Sequence, residues 1–319
     1  MNQRLTLPTA LLLMVPPLLW AGNAVVGRLA ANLIGPMMLN FLRWGIAFLI
    51  LLPLAWQVLR PGSLLWPNWQ RYMLLGFLGV GCYNALMYLA LHTSTPVNVT
   101  LVGASVPVLM LITGALFFRQ RISRMQLLGA GLSMAGVMVV LVRGEVARLT
   151  SIAFVPGDLY MLLASVAWAF YSWLLVDRVD RVDRVDRVDL VDRPGSRARD
   201  AASIRGDWAA FLMAQMVFGL GWAGLFAGGE WALTSAPIDW GWPLALVLVY
   251  VAIGPAILAY RCWGMGVQRV GPATASFFAN LTPLIAALLS AAFLGELPQA
   301  HHAIAFALIV GGIVVSSRK

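Results

Sequence analysis

Charge is scarce in this sequence. Of its 319 residues, only 11% are Asp, Glu, Lys or Arg, whereas 61% are apolar. Soluble domains carry about 25% charged and about 45–50% apolar residues, so this apolar excess is too large for a soluble core to absorb. A soluble enzyme and a disordered protein are therefore poor interpretations. A nucleic-acid-binding domain is also a poor interpretation, because the basic residues behind the net charge of +9 lie between long apolar stretches. The remaining class is a polytopic α-helical membrane protein.

The few charges are unevenly distributed. Residues 177–207 alone hold eight Asp and eight Arg, which leaves 14 basic and 5 acidic residues in the other 288 positions. Residues 176–193 repeat Val-Asp-Arg, a run typical of a solvated linker, although its i,i+4 Asp–Arg pairs would also suit a charged extension of a helix. We expect no substrate role for this segment.

Residues suited to covalent, metal or nucleotide chemistry are few as well. The chain has two cysteines and three histidines, and none of them belongs to a set with the spacing of a metal site. The sequence also has no GxxxxGK phosphate loop. We therefore expect no enzyme activity, no cofactor, no bound metal and no drive by ATP.

Ten apolar segments follow one another along the chain, with edges uncertain by several residues. Most reach the roughly 20 residues that an α-helix needs to cross a ~30 Å hydrocarbon layer. They are 8–31, 37–57, 70–92, 96–118, 125–142, 156–176, 208–227, 240–262, 272–293 and 301–317. With the N-terminus inside, 18 basic residues fall on the inner side and only Arg28, Arg143 and Arg148 on the outer side. The positive-inside rule then predicts that both termini are cytoplasmic.

The two halves of the chain resemble each other. Pro107 matches Pro283 at an offset of 176 residues, and Trp20 matches Trp168 at an offset of 148. The difference of 28 residues is close to the length of the 177–207 segment, which we interpret as an insertion. Each half has five spans, and an odd number makes the second half enter the membrane from the opposite side. We predict an all-α fold of ten transmembrane helices in two inverted five-helix repeats, 1–148 and 149–319, an arrangement typical of transporters.

Short motifs at these positions make the sequence resemble the drug/metabolite transporter superfamily, EamA type. They are the Trp-Ala pairs at Trp20 and Trp168, Phe41-Leu42-Arg43-Trp44 in the second segment, Pro107 and Pro283, Leu294-Gly295-Glu296 after the ninth segment, and Gly136 and Gly312. The resemblance covers nearly the whole chain except 177–207. It implies a ten-helix exporter of small metabolites in a bacterial inner membrane, with amino-acid exporters, including the YddG type, among the members. The direction of transport rests on this resemblance alone.

Polar and aromatic side chains at membrane depth are the candidates for a substrate site. The predicted substrate-binding residues are Trp20, Asn23, Arg43, Tyr83, Asn84, Trp168, Tyr171, Tyr260, Trp263 and Asn280. For Arg43 two interpretations stay open. One is a structural role, in which it bonds helix-end carbonyls or snorkels outward, and the other is the attraction of a substrate carboxylate. Pro107, Pro255 and Pro283 are predicted to kink their helices, because proline frees a carbonyl one turn earlier.

We expect a central aromatic and polar cavity lined by helices 1, 3, 4, 6, 8 and 9. Helices 5 and 10 should pack closely through Gly129, Gly136, Gly311 and Gly312, in a monomer or a weak homodimer. No acidic residue falls at the middle of a span, where a proton-driven pump usually keeps a carboxylate. The pattern favours facilitated diffusion or exchange of a small zwitterion or apolar metabolite, and a lipid bilayer but no nucleic acid as partner.

Three alternatives stay open. A multidrug or lipophilic-cation exporter would be expected to carry an intramembrane acid. An intramembrane enzyme would need His, Asp, Glu or Ser clustered at one depth. A non-transporting scaffold would not need polar residues at repeat-related positions within the membrane.

Overall fold

The computed structural model describes residues 5–94, 99, 102–142, 155–176, 204, 207–234, 237–294 and 300–318. The Val-Asp-Arg run, Gly295-Glu296 and the predicted helical extension into the run lie outside these residues. Within them the chain forms ten main helical segments. These are α1 Leu7–Ala30, α2 Pro36–Ala55, α3 Trp69–Thr93, α4 Val106–Phe118, α5 Arg124–Leu141, α6 Pro156–Leu174, α7 Trp208–Thr234, α8 Trp242–Val270, α9 Pro272–Ala279 with Leu281–Leu294, and α10 Ala300–Ser317.

Local sequence explains where many of these helices begin. Proline is well suited to the first turn of a helix, because the N–H that it lacks would have no partner there and its φ is already helical. Prolines occupy the first turns of α2, α4, α6, α8 and α9, at Pro36, Pro107, Pro156, Pro243 and Pro272. Between α8 and α9, Gly271 takes φ of 85°, a left-handed conformation that favours glycine and lets α9 follow directly.

The helices form a membrane protein with an apolar exterior. Six of those that the structure describes are each long and apolar enough to cross a membrane, namely α1, α2, α3, α7, α8 and α10. Leu29, Leu116 and Phe306 are more than half exposed on the outside, as expected of side chains that face lipid. Ten successive crossings place the start of α1 and the end of α10 on one side of the bundle, here called the terminal side, and the other is called the far side.

The packing of the helices shows the two inverted repeats. Helix α5 packs against α10 and α2 packs against α7, so each of these helices packs against its own counterpart in the other repeat. Helix α3 packs against α6, and the counterpart pair α8 and α1 packs in the same way. Likewise α4 packs against α6, and the counterpart of α4, α9, packs against the counterpart of α6, α1. This exchange of partners is what a pseudo-two-fold axis in the membrane plane produces.

The third helix of each repeat is interrupted by a π-helical segment. In α3 the segment is Gly76–Cys82 and in α8 it is Ala252–Leu258, so the two lie 176 residues apart. Pro255 lies inside the second segment, but its counterpart Gly79 is not proline, so the interruption does not depend on proline alone. Such π segments leave main-chain carbonyls unpaired within the helix and are frequent at functional sites.

The fourth helix of each repeat is broken rather than bent at its proline. Helix α9 stops at Ala279 and resumes at Leu281, and α4 starts at Val106 after a turn at residues 104 and 105. Pro283 and Pro107 therefore lie in the first turn after the break. Two of the prolines predicted to kink their helices, Pro107 and Pro283, thus each follow an interruption of the helix.

Small residues allow α5 and α10 to touch along their backbones. A Cβ added to Gly312 would lie 2.7 Å from the carbonyl oxygen of Gly129, and one added to Gly136 would lie 2.9 Å from that of Ala305. Ala305 is the repeat counterpart of Gly129, so the two contacts obey the pseudo-two-fold relation. The predicted close packing is confirmed for Gly129, Gly136 and Gly312. It is wrong for Gly311, where an added Cβ would meet no described atom within 4 Å.

Candidate functional site

Six aromatic side chains meet in the middle of the bundle, and together they are here called the aromatic cluster. Its members are Trp20 of α1, Tyr83 of α3, Trp168 and Tyr171 of α6, and Tyr260 and Trp263 of α8. Trp168 is only 1% exposed and lies at the centre of the cluster. Its ring centroid is 5.3 Å from Trp20, 4.8 Å from Tyr83 and 5.3 Å from Tyr260.

The cluster is built around residues that the two repeats share. Trp20 and Trp168 are counterparts, and their rings meet edge to face at 89°. The third tryptophan, Trp263, lies 5.4 Å from each of them and donates its indole N–H to the Ser172 hydroxyl at 3.1 Å. Edge-to-face and tilted pairs at these separations are the favoured aromatic geometries. The cluster therefore presents several aromatic faces and edges where the repeats meet.

A hydrogen-bonded network extends from the cluster toward the far side. Arg43 donates through Nη1 to the Asn84 Oδ1 at 2.7 Å and to the Tyr88 hydroxyl at 2.9 Å. Tyr88 donates onward to Asn23 at 2.8 Å, and Asn84 donates to the Tyr260 hydroxyl at 3.1 Å. The network thus ties α1, α2 and α3 to α8 with a defined direction at every bond.

Two features of α3 hold this network in place. Tyr260 donates its hydroxyl proton to the carbonyl of Gly79, inside the π segment. A Cβ on Gly79 would lie 2.6 Å from the Tyr171 ring, so the bare backbone lets that ring pack against α3. Asn40 of α2 donates to the Val80 carbonyl at 2.9 Å. The π segment therefore supplies carbonyls that neighbouring helices use as anchors.

Arg43 carries an unbalanced charge. It is 0% exposed, so it does not snorkel, and that part of its structural interpretation is wrong. Its Nε and Nη2 have no hydrogen-bond partner among the described residues, and Asn84 and Tyr88, which accept from Nη1, are neutral. The guanidinium carbon lies 5.3 Å from the Trp44 ring, a cation–π distance. An unpaired buried cation is costly, and its free donors suit an anionic group.

A cavity of about 300 Å³ opens on the terminal side between α6, α7 and α8. Tyr171 and Tyr260 of the aromatic cluster form its inner end, and Gly264 lies in its wall. The exposed Arg261 lies at its rim, with its guanidinium 4.4 Å from the Trp208 ring. Gln215 of α7 lines the cavity too, and its Oε1 is buried with no partner in the described part of the chain. The cavity therefore leads from the terminal side to the aromatic cluster.

The far side is closed by contacts between the repeats. Both carboxylate oxygens of Glu230, at the end of α7, accept backbone N–H groups from the start of α2, from Met37 at 3.1 Å and Met38 at 3.0 Å. Ser94, after α3, donates to Asp158 in the first turn of α6. A carboxylate at a helix N-terminus is favoured by the helix dipole as well as by the hydrogen bonds.

The structure brings together nine of the ten predicted substrate-binding residues. Asn280 is the exception, because it lies at the break in α9 and donates to the Ser133 hydroxyl of α5 at 2.9 Å. The cavity also differs from the expectation, since α7 lines it while α1, α3, α4 and α9 do not. The sequence reading missed Tyr88, Gln215 and Gly264. A comparison of the repeats for mismatches would have found two of them, since Tyr88 stands where the second repeat has Gly264.

Comparisons with known proteins agree with this architecture. The model of the EamA-like transporter family matches residues 7–142 and 203–318. An uncharacterized transporter, YyaM, from Bacillus subtilis (strain 168) is 24% identical over 252 residues, which cover 78% of this chain and 73% of that protein. The aromatic amino acid exporter YddG of Ancylobacter novellus is 25% identical over 253 residues, 79% of this chain and 76% of the exporter. A solved crystal structure with 23% identity has a TM-score of 0.68 and covers 97% of this chain and 95% of its own, which shows the shared fold.

Proposed function

The chain belongs to the EamA-like transporter family, and from that premise we propose that it exports neutral amino acids, aromatic ones above all, by alternating access. The observation that carries the proposal is the cavity that ends on the aromatic cluster at Tyr171 and Tyr260. Aromatic rings bind apolar and aromatic side chains by area and edge-to-face contact, and they attract an ammonium group through the ring face. A neutral amino acid offers both groups.

We assign the terminal side to the cytoplasm, in a bacterial inner membrane. The positive-inside rule supports this, because the basic residues at helix ends gather there. They include Arg60, Arg121, Arg124, Arg261, Arg269 and Arg318. With this orientation the cavity is open to the cytoplasm and the contacts of Glu230 and Ser94 close the outer side. An exporter must load its substrate in such an inward-open form.

We propose that transport runs down the substrate gradient, as facilitated diffusion or exchange. Proton-coupled carriers place a carboxylate or histidine within the membrane. The acidic residues that the structure describes, Asp158, Asp207, Glu230 and Asp239, lie at or beyond helix ends. The aromatic cluster and the Arg43 network are built from neutral side chains around one guanidinium.

A counterflow assay in proteoliposomes tests the proposal. Vesicles loaded with unlabelled L-phenylalanine should take up labelled L-phenylalanine faster than protein-free vesicles, and an imposed pH gradient should not drive uphill uptake. Exchange of tetraphenylphosphonium with no exchange of any amino acid would instead identify a lipophilic-cation exporter. Uphill uptake on a pH gradient would refute the facilitator mechanism and leave the substrate class standing.

A further inference from the structure

We propose that Arg43 binds the carboxylate of the substrate and that this binding releases a latch on the far side. The latch consists of Arg43, Tyr88, Asn23 and Asn84, which join α1, α2 and α3 through the hydrogen bonds described above. The inference rests on the proposed function, because it names the substrate group recognised at the same site.

The free edge of the guanidinium fits a carboxylate. Nη1 is occupied by the Asn84 and Tyr88 oxygens, while Nε and Nη2 have no partner among the described side chains. In arginine, the Nε–H and Nη2–H bonds point to the same side and form the edge that binds a carboxylate through two parallel hydrogen bonds. Arg43 therefore presents a complete bidentate edge that the protein leaves unused.

The network is not a requirement of the fold, because the second repeat lacks its central residues. At the offset of 176, the counterparts of Arg43 and Tyr88 are Gly219 and Gly264. The second repeat packs in the same arrangement of helices without a guanidinium. A buried cation present in one repeat only, without an acidic partner in the described network, indicates a role in function rather than in folding.

The Tyr88 ring is the closing element of the latch. Gly27 of α1 gives it room, since a Cβ at Gly27 would lie 3.0 Å from the Tyr88 ring carbon Cε1. The ring is 1% exposed and belongs to the apolar cluster of the far side, together with Ala30 and Leu91. Its hydroxyl bonds to both Arg43 and Asn23, so α1 and α2 are joined through this side chain.

A hydrogen-bonded path connects the cavity to the latch. Tyr260 lines the cavity and accepts the amide proton of Asn84, and Asn84 in turn accepts from Arg43. Arg43 therefore lies two hydrogen bonds beyond the inner end of the cavity. A carboxylate at the free edge is a charged acceptor, whereas Asn84 and Tyr88 offer Nη1 only neutral oxygens, so its binding draws the guanidinium toward the substrate and lengthens the bond to Tyr88. The ligand opens the far side because it binds better when Tyr88 is released.

Binding measurements on the purified full chain test the recognition step. The probes are L-phenylalanine and L-phenylalaninamide, which share the ring and the ammonium group but differ in the carboxylate, and the readout is the fluorescence of the tryptophans in the aromatic cluster. The wild type should bind L-phenylalanine at least ten-fold more tightly than the amide. Arg43→Gln should remove this preference by weakening only L-phenylalanine, and Arg43→Lys should reduce it. Arg60→Gln, at an exposed arginine, is the matched control and should keep the preference.

A cysteine reporter tests the release step. In a chain with Cys82→Ser and Cys262→Ser, Ala30→Cys places a buried thiol on the far side. L-phenylalanine should accelerate its reaction with a membrane-impermeant thiol reagent at least several-fold, and L-phenylalaninamide should not. Tyr88→Phe should raise the rate without ligand while keeping the carboxylate preference, because it removes the latch bonds and leaves the free edge of Arg43.

The outcomes separate the two proposals. Equal binding of acid and amide by the wild type overturns the carboxylate site, even where Arg43→Gln fails to fold. A preference that survives in a folded Arg43→Gln protein overturns it too. If the probes bind as expected but L-phenylalanine shows no counterflow, the proposed function alone is overturned. If neither probe binds, both the carboxylate site and the proposed function are overturned. Reporter labelling that ignores L-phenylalanine overturns the latch.

Discussion

Tyr88 and Gly264 are counterparts in the two repeats, and the space beside Tyr88 is filled whereas the space beside Gly264 is open. The Tyr88 ring fills the region between α1, α2 and α3 on the far side and bonds to Arg43 and Asn23. Gly264 leaves the corresponding region between α6, α7 and α8 open as the cavity on the terminal side. The difference between one tyrosine and one glycine thus accounts for much of the asymmetry of the bundle.

A tyrosine at position 264 should close the cavity. An added Cβ at Gly264 meets no described atom within 4 Å, so Gly264→Tyr can be accommodated in the cavity itself without disturbing helix packing. We expect a folded protein with counterflow near the protein-free background, whereas Gly264→Ala should transport. Gly131→Tyr, at an exposed glycine of α5, is the matched control for a new tyrosine in the membrane. Wild-type counterflow in Gly264→Tyr would show that substrate does not use this cavity.

Removal of the Tyr260 hydroxyl should impair transport and leave the fold intact. Tyr260→Phe deletes the bond to Gly79 and leaves the Asn84 amide without its acceptor. A buried polar group that loses its partner costs about 1–3 kcal/mol, so the Asn84 amide and the ring at position 260 shift and the half-saturating concentration of L-phenylalanine rises. Titration of counterflow rate against L-phenylalanine concentration measures the change. Tyr160→Phe near the far-side end of α6 is the control, and an effect of equal size there would assign the loss to general destabilisation.

The contact between α5 and α10 can be tested with two adjacent glycines. In Gly312→Ala the new Cβ would lie 2.7 Å from the Gly129 carbonyl oxygen and 3.0 Å from the Ser133 Cβ, so the helices must separate. Overpacking of this kind costs about 1–3 kcal/mol. Gly312→Ala should lower the melting temperature in detergent, and Gly311→Ala should not, because its Cβ meets none of the described atoms. A similar melting temperature for both variants would show that the close approach is not maintained in solution.

The membrane body was predictable from the sequence because lipid leaves few choices. An apolar run of about 20 residues must become a helix when no water is present to bind its backbone. The equivalence of Trp20 and Trp168 was predictable because both repeats keep the same residue. The π segment in α3 was not, since Gly76–Cys82 contains no proline to mark the break that Pro255 marks in α8.

The sequence also did not predict that α7 lines the cavity. It follows from contacts between helices distant in the chain, where a Cβ on Gly76 of α3 would lie 2.5 Å from the Gln215 carbonyl oxygen and one on Gly219 would lie 2.5 Å from the Val80 Cβ. These glycines bring α7 against α3 and carry Gln215 to the cavity wall. Glycines have many uses in membrane helices, so their presence alone does not reveal which helices touch.

Neutralising Glu230 should weaken the closure of the far side. The carboxylate accepts the N–H groups of Met37 and Met38 at the start of α2, and Glu230→Gln keeps one acceptor and loses the charge. A charge at a helix terminus contributes about 0.3–1 kcal/mol at the surface. The Ala30→Cys reporter should therefore react faster in Glu230→Gln without ligand. Asp239→Asn, at an exposed residue on the same side, is the control, and equal labelling in both variants would contradict the role of Glu230.

Deleting the charged insertion should leave transport intact. The family model matches the chain up to residue 142 and again from 203, so the Val-Asp-Arg run lies outside the matched residues. Helix α6 ends at Leu174 and α7 begins at Trp208, both on the terminal side, so a short Gly-Ser linker in place of 178–202 can join them. A run of alternating charges cannot bury apolar surface and is expected to remain solvated. The deletion variant should match the wild-type counterflow rate at equal amounts of inserted protein. A correctly inserted variant that does not exchange L-phenylalanine would instead give the insertion a part in the transport cycle.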